Sequence, residues 1–206
     1  MIETITRSNN RIFTIKIDIN RFFFPDEYMK FEDKLKSKQK FSVQFLLNTG
    51  ARINEAKNVK VEDVDLERNR VILRVTKVKA KKGEKKSRPR IIPISTQFSR
   101  KLKSYIKEKN LQPNDYLGVL SNSALNVGYK KAGKLAGIKN PEDISSHTFR
   151  KTLEVWLMVL GVDSLALTAH IGHDIRTAAQ HYVSPDIFSW DDKKKIRLVI
   201  GDLYGR

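Results

Sequence analysis

Three short segments hold side chains able to move a phosphoryl group. Thr49-Gly-Ala-Arg52, His147-Thr-Phe-Arg150 and His173–Tyr182 (HDIRTAAQHY) occur in that order, and Ile171-Gly172 precedes the last. Cleaving a phosphodiester without water needs a nucleophile at phosphorus, cations for the charge growing on the equatorial oxygens, a base and an acid. Arginine suits that charge because its planar fork grips two oxygens and stays protonated. A tyrosine nucleophile, with a free pKa of about 10, needs the base. The departing 5′ oxygen needs the acid. Two arginines, two histidines and a tyrosine supply most of this set, and the chemistry requires no acidic cluster of the kind that holds two metal ions.

Each residue also has a plainer reading. Tyr182 falls late in a helix predicted over Asp174–Val183, beside Ala178 and Ala179. Alone, such a tyrosine packs its ring on the core with its hydroxyl at the rim; the Gly172-His173 turn upstream favours a nucleophile. His147 and Arg150 are spaced i, i+3 at a predicted helix start, where backbone N–H groups and the helix dipole also attract an anion. Arg150 would clamp a nonbridging oxygen, and His147 would act as base or hydrogen-bond donor; the alternative is a solvated first turn. Arg52 follows a glycine helix stop, and Glu55 is placed to orient it. By themselves the two make a surface pair worth a few tenths of a kcal/mol.

Lys77 ends a predicted strand and is placed to protonate the 5′ oxygen. Lys79, Lys81, Lys82, Lys85, Lys86 and Arg88 follow in a basic hairpin tip and read as DNA phosphate contacts. Which hairpin lysine is the acid stays open. His170, His173 and His181 fit no zinc spacing, so no metal is expected. His173 is assigned to the phosphate, His170 and His181 to structural or exposed positions.

These groups must be positioned by a chain of 206 residues, enough for one domain or one plus a small appendage. The apolar share of 40% supports a core. Forty Lys+Arg against 23 Asp+Glu give a net charge of +17, which attracts polyanions. Ribosomal or chromatin-type binders carry similar charge. With no cysteine, disulfides, thiolate nucleophiles and Cys-type zinc sites are excluded. No apolar run approaches the roughly 20 residues that span a bilayer, and MIETITRSNNR is not a signal peptide. A soluble, intracellular protein without a membrane partner is expected.

Periodicity predicts a strand over 11–19, a helix from Asp26 to Asn48 broken near Lys38–Lys40, and short turns over Arg52–Asn58. A polar connector leads to strands at Arg70–Thr76 and Arg90–Ile94. Further helices follow Ser95, span 121–136, and start at Ser145 or Ser146 and at Asp163. The fold class is α+β, mostly helical with a small antiparallel sheet or hairpin. The expected divisions are an N-terminal strand and linker over 1–25, a catalytic domain over 26–190 and a tail over 191–206.

The ordered boxes resemble those of the tyrosine recombinase (phage-type integrase) family, from about Phe41 to Ser184. TGARINEA resembles the first arginine box, with Arg52 and Glu55. RVTK with the following basic turn and RPRIIPI resembles the lysine hairpin, with Lys77. SHTFRKT resembles the box holding His147 and Arg150, and HIGHDIRTAAQHYV the final box with His173 and the nucleophile Tyr182. The resemblance implies a site-specific recombinase acting on double-stranded DNA through a 3′-phosphotyrosyl intermediate and a free 5′-hydroxyl, without ATP or metal. It also implies a homo-oligomer, a tetramer on DNA, with a monomer when free. Roles in viral integration, plasmid maintenance and chromosome-dimer resolution all fit. A type IB topoisomerase-like activity and a noncatalytic DNA binder are the rival readings. Lys151 stands where the family commonly has a second histidine. Residues 1–51 are too few for the helical domain that usually completes a DNA clamp, so an excised or naturally short catalytic domain is expected. The apolar tail segment Ile196–Ile200 either docks on a neighbouring subunit or packs on its own domain.

Overall fold

The structure is a computed structural model and describes residues 2–6, 12–16, 21–74, 89–172 and 187–205. Strands β1 (Ile2–Thr6) and β2 (Ile12–Lys16) pair antiparallel, Ile2 opposite Lys16 and Thr6 opposite Ile12. The sequence reading held a single strand here. The turn-forming types Ser8, Asn9 and Asn10 between the two strands were the signal for a hairpin.

Pro25 opens α1 (Pro25–Asp33), as its fixed φ and missing N–H allow at a first helical position. The α1–α2 break falls at residues 34–36, earlier than predicted. Lys36 leaves the helix with φ −71° and ψ 154°, and its N–H donates to Gln39 Oε1 at 3.2 Å. Gln39 therefore acts as the returning half of a capping box at the start of α2 (Ser37–Thr49). After α2 come α3 (Ile53–Lys57), β3 (Val64–Asp65), β4 (Arg70–Leu73), β5 (Arg90–Pro93) and α4 (Thr96–Glu108). Then α5 (Asn122–Leu135), α6 (Ser146–Val159), α7 (Ser164–Ile171) and α8 (Trp190–Ile200) complete the described chain.

The three strands β3-β4-β5 form one antiparallel sheet, with Val71 opposite Ile92 and Leu73 opposite Arg90. Directly opposed residues share a face, so Val71, Leu73, Ile92 and Arg90 all point one way. Val71, Leu73 and Ile92 are buried, while Ile91 on the other face is 62% exposed. The polar connector contributes β3, a strand too short for periodicity to reveal.

α6 lies in the centre of the core. Phe23 runs along it: its N–H donates to Thr152 Oγ1 at 2.9 Å and its carbonyl accepts from Trp156 Nε1 at 3.0 Å. Phe23 stacks on Phe149 at 5.8 Å, and Tyr28 meets Trp156 edge-on at 5.7 Å. The tail forms the helix α8, which packs against α1, with Ile196, Ile200 and Leu203 buried within this chain. Asp202 accepts from the Thr96 N–H and hydroxyl at 2.7 and 2.6 Å, tying the chain end to α4. No helix among the described residues is long and apolar enough to cross a membrane.

Candidate active site

The site is assembled around the end of α2. Gly50 stops that helix in the left-handed region, φ +58°, with its N–H on the Leu46 carbonyl at 2.9 Å. A Cβ at Gly50 would lie 2.9 Å from Ile171 Cδ1, so α7 presses on the turn and only glycine fits without displacement. The Gly50 carbonyl faces α6 and accepts from Arg150 Nη1 at 2.6 Å. Arg150 is 8% exposed, so its guanidinium is held inside rather than in the solvated first turn that the sequence left open.

Two residues beyond Gly50, Arg52 takes extended backbone and begins α3. Its N–H donates to Glu55 Oε2 at 2.8 Å and its Nη1 to Glu55 Oε1 at 3.1 Å. The expected Arg52–Glu55 pair is present, but it is not a simple surface pair. Arg90 grips the same carboxylate with both guanidinium nitrogens, Nη1 to Oε1 at 2.8 Å and Nη2 to Oε2 at 2.9 Å. Burial pulls the Glu55 carboxyl upward, yet the Arg52 N–H and the Arg90 fork hold it below the ordinary carboxylate range.

The electrostatics place His147, Arg150, Arg52 and Arg90 in one field. Burial first, then the Arg52 and Arg90 charges, push the Arg150 guanidinium down to about 9; it is still charged at neutral pH. His147 lies at the open start of α6, and partial burial followed by Arg150 and Arg52 holds its ring below the usual histidine range. A neutral imidazole beside two arginines can accept a proton while the cations bind an anion. Burial, ahead of the opposing Arg150 and Lys151 charges, pushes Glu154 on the same helix up to about 7. Lys151, at the place of the family's second histidine, is buried within α6.

His170, left as structural or exposed by the sequence, is buried. It is 2% exposed, its Nδ1 lies 3.2 Å from Tyr204 Oη, and burial followed by the Arg90 charge pushes it down to about 4. Gly172 ends α7 in the left-handed region, φ +75°, with its N–H on Thr168 O at 2.7 Å. Thus the structure brings Arg52, Glu55, His147 and Arg150 together. Lys77, Lys79, Lys81, Lys82, Lys85, Lys86, Arg88, His173, Tyr182 and the helix predicted over Asp174–Val183 lie outside the described residues. Among the described residues no group of three or more His, Asp or Glu side chains could hold a metal ion.

Sequence reasoning missed Arg90 as a site residue. The available signal was its place in Arg90-Ile91-Ile92-Pro93-Ile94, where alternation sets an arginine on the inward face with Ile92 and Ile94. A charge at an inward strand position costs free energy unless paired, which marks it for a partner such as Glu55.

Comparison with known proteins agrees with this arrangement. The family model described as the Phage integrase family matches residues 22–187. Tyrosine recombinase XerA of Saccharolobus solfataricus is 33% identical over 155 residues, covering 74% of this chain and 48% of the relative. Tyrosine recombinase XerD of Corynebacterium glutamicum is 30% identical over 150 residues, 68% of this chain and 46% of the relative. The chain therefore spans about half the length of these curated relatives. The crystal structure of XerA recombinase superposes with a TM-score of 0.63 at 21% identity, over 89% of this chain and 66% of that one. The Tn1549 transposon integrase in complex with transposon right end DNA gives 0.63 at 18% identity, again over 89% and 66%. With the arginine boxes meeting at Gly50 and a helical domain flanked by a small antiparallel sheet, the chain belongs to the phage integrase family, that of the tyrosine recombinases.

Proposed function

We propose that this chain is the strand-transfer domain of a site-specific DNA recombinase. The substrate is double-stranded DNA, and the intermediate is a tyrosyl ester of its 3′ phosphate. Tyr182 Oη attacks phosphorus, the bond from phosphorus to O5′ breaks, and His147 takes the phenolic proton. Lys77 gives a proton to the departing 5′ oxygen. Arg52 and Arg150 bind the nonbridging oxygens, with His173 as a further hydrogen-bond donor to the phosphate. The ester conserves the bond energy, so a 5′-hydroxyl from another duplex can reverse the step without ATP. Two duplexes exchange strands within a tetramer of this chain assembled on DNA, and the free chain is a monomer.

The observation that carries this reading is the surplus of positive charge gathered at Gly50. Burial and then the Arg52 and Arg90 charges lower the Arg150 guanidinium, burial and then Arg150 and Arg52 lower His147, and Glu55 is the carboxylate bound between Arg52 and Arg90. A phosphodiester offsets that charge, and the charge growing in its transition state offsets it further. The relatives that match are named recombinases, which favours strand exchange over relaxation.

The test is a trapping assay. The chain and its Tyr182→Phe variant are incubated with pooled nicked duplexes in EDTA and run on denaturing gels. A DNA-linked band in the wild type alone is expected. A band in both proteins, or in neither when both bind DNA, would overturn the assignment.

A further inference from the structure

We propose that Arg90 is a positioning residue for the transfer reaction, one that sets the Glu55 carboxylate and, through it, the phosphate-binding guanidinium of Arg52. The inference rests on the function proposed above and adds a residue to it.

Arg90 stands where a strand would ordinarily place an apolar side chain. It faces inward opposite Leu73, two residues from the buried Ile92. Its side chain is 17% exposed, against 47% for Arg52. Of the two arginines on Glu55, the less exposed one holds the carboxylate with a full fork and the other is open to solvent. Glu55 Oε1 accepts from Arg90 Nη1 and Arg52 Nη1, at 2.8 and 3.1 Å. Glu55 Oε2 accepts from Arg90 Nη2 and the Arg52 N–H, at 2.9 and 2.8 Å. All four bonds come from these two residues, so the plane of the carboxylate is fixed by the rigid fork on strand β5.

The charges explain why a second arginine is needed. Arg52 and Glu55 alone make a neutral pair, and a carboxylate free to turn would close fully on Arg52. With Arg90 sharing the carboxylate, the triad carries one net positive charge and Arg52 keeps donors for a phosphate oxygen. Arg90 also fills the space beside Gly172: a Cβ there would meet its Nη1 at 3.0 Å and its Cζ at 3.2 Å. The same side chain thus abuts the residue that precedes His173 and binds the box of Arg52. It does so from the strand that follows, in sequence, the basic segment bearing Lys77.

The test uses single-turnover cleavage of nicked duplexes by wild type, Arg90→Met, Arg90→Lys and Arg52→Ala. Each duplex carries either the natural scissile phosphate or one methylphosphonate stereoisomer, in which a nonbridging oxygen is replaced by methyl. On natural phosphate, Arg90→Met is expected to lower the rate by roughly 10- to 100-fold, the scale of a misplaced reacting group, with DNA affinity altered far less. Arg90→Lys keeps the charge without the fork and falls between. On the isomer that lacks the oxygen Arg52 contacts, Arg52→Ala loses its defect, and the Arg90→Met defect should vanish with it. A merely structural role would leave the Arg90→Met defect equal on both substrates, and that result overturns the inference. So would a wild-type rate for Arg90→Met on natural phosphate, or the lack of any isomer that relieves Arg52→Ala. If thermal melts show Arg90→Met unfolded, Arg90→Lys carries the same comparison. Failure of the wild type to form any adduct removes the proposed function and the Arg90 role together; a wild-type adduct with an unaffected variant removes only the role.

Discussion

The helix α6 turns two unlike faces to the molecule. Phe149, Thr152 and Trp156 face the Phe23–Tyr28–Phe31 side, where rings lie 5.0 to 5.9 Å apart and the polar atoms of Phe23 are bonded. Arg150, bonded to Gly50 O, lies on another face with His147 and Glu154; burial and neighbouring arginines lower Arg150 and His147, while burial raises Glu154. The aromatic face is complete within the chain. The arginine face is electrostatically loaded, and an anion relieves it. The first maintains the fold; in the function proposed above, the second holds positive potential for the phosphate, in the way functional sites depart from what stability alone would choose.

Substitutions on the two faces should therefore separate stability from rate. Trp156→Ala should lower the unfolding free energy by about 3–5 kcal/mol in urea titration, the usual range for emptying a buried aromatic site. Its cleavage rate per folded molecule should stay near wild type. Arg150→Ala should do the reverse. Loss of its donors should slow cleavage about 10²- to 10³-fold. The lost bond to Gly50 O is offset in part by relief from Arg52 and Arg90, so stability should move by less than about 2 kcal/mol. Equal damage to stability and rate in both variants would erase the contrast.

His170, at the edge of the charged region, gives a pH effect. The unfolded chain takes up a proton below pH 6.5 that the buried ring refuses until about pH 4. Stability should be lost as pH falls through that window, by about 3 kcal/mol at roughly 1.4 kcal/mol per pKa unit. His170→Asn should remove most of that slope in urea titrations at pH 7 and pH 4.5. The smallest expected effect is on His147. As a base it must be neutral, so the acid limb of kcat/KM should lie below the ordinary histidine range, and Arg52→Ala should move it upward. A limb that Arg52→Ala leaves in place would show that the two groups do not share a field during reaction.

Much of the site was legible because its chemistry depends on residue types at short spacing. Arg52 with Glu55, and His147 with Arg150, needed only a glycine stop and a helix start to be placed. The depth of Arg150 was not legible, because it depends on α2 and α6 meeting at Gly50, a contact between residues 100 apart in the chain. Arg90 was hidden in a basic stretch whose charges all read alike until strand register set it inward. The sequence marks Ile196–Ile200 as an apolar tail segment but leaves open whether it docks on a neighbour or packs on its own domain; the structure places it as helix α8 against α1. Ile196 and Ile200, one turn apart, are buried in the core with Val199 packed against it, and Lys195 is taken up by Asp191 at 2.6 Å. The small sheet was visible in its two longer strands and invisible in β3, which has two residues.

The central claim is that the phosphate held at Gly50 becomes esterified to Tyr182. The most direct measurement is to trap the chain on a nicked duplex labelled at the 5′ end of the cleaved strand in one sample and at its 3′ end in another, then map the DNA-bearing peptide by tandem mass spectrometry. Protein retained on the 5′-labelled fragment, with the nucleotide on Tyr182, is the result this account predicts. Attachment to the 3′-labelled fragment, or at any other residue, would contradict it.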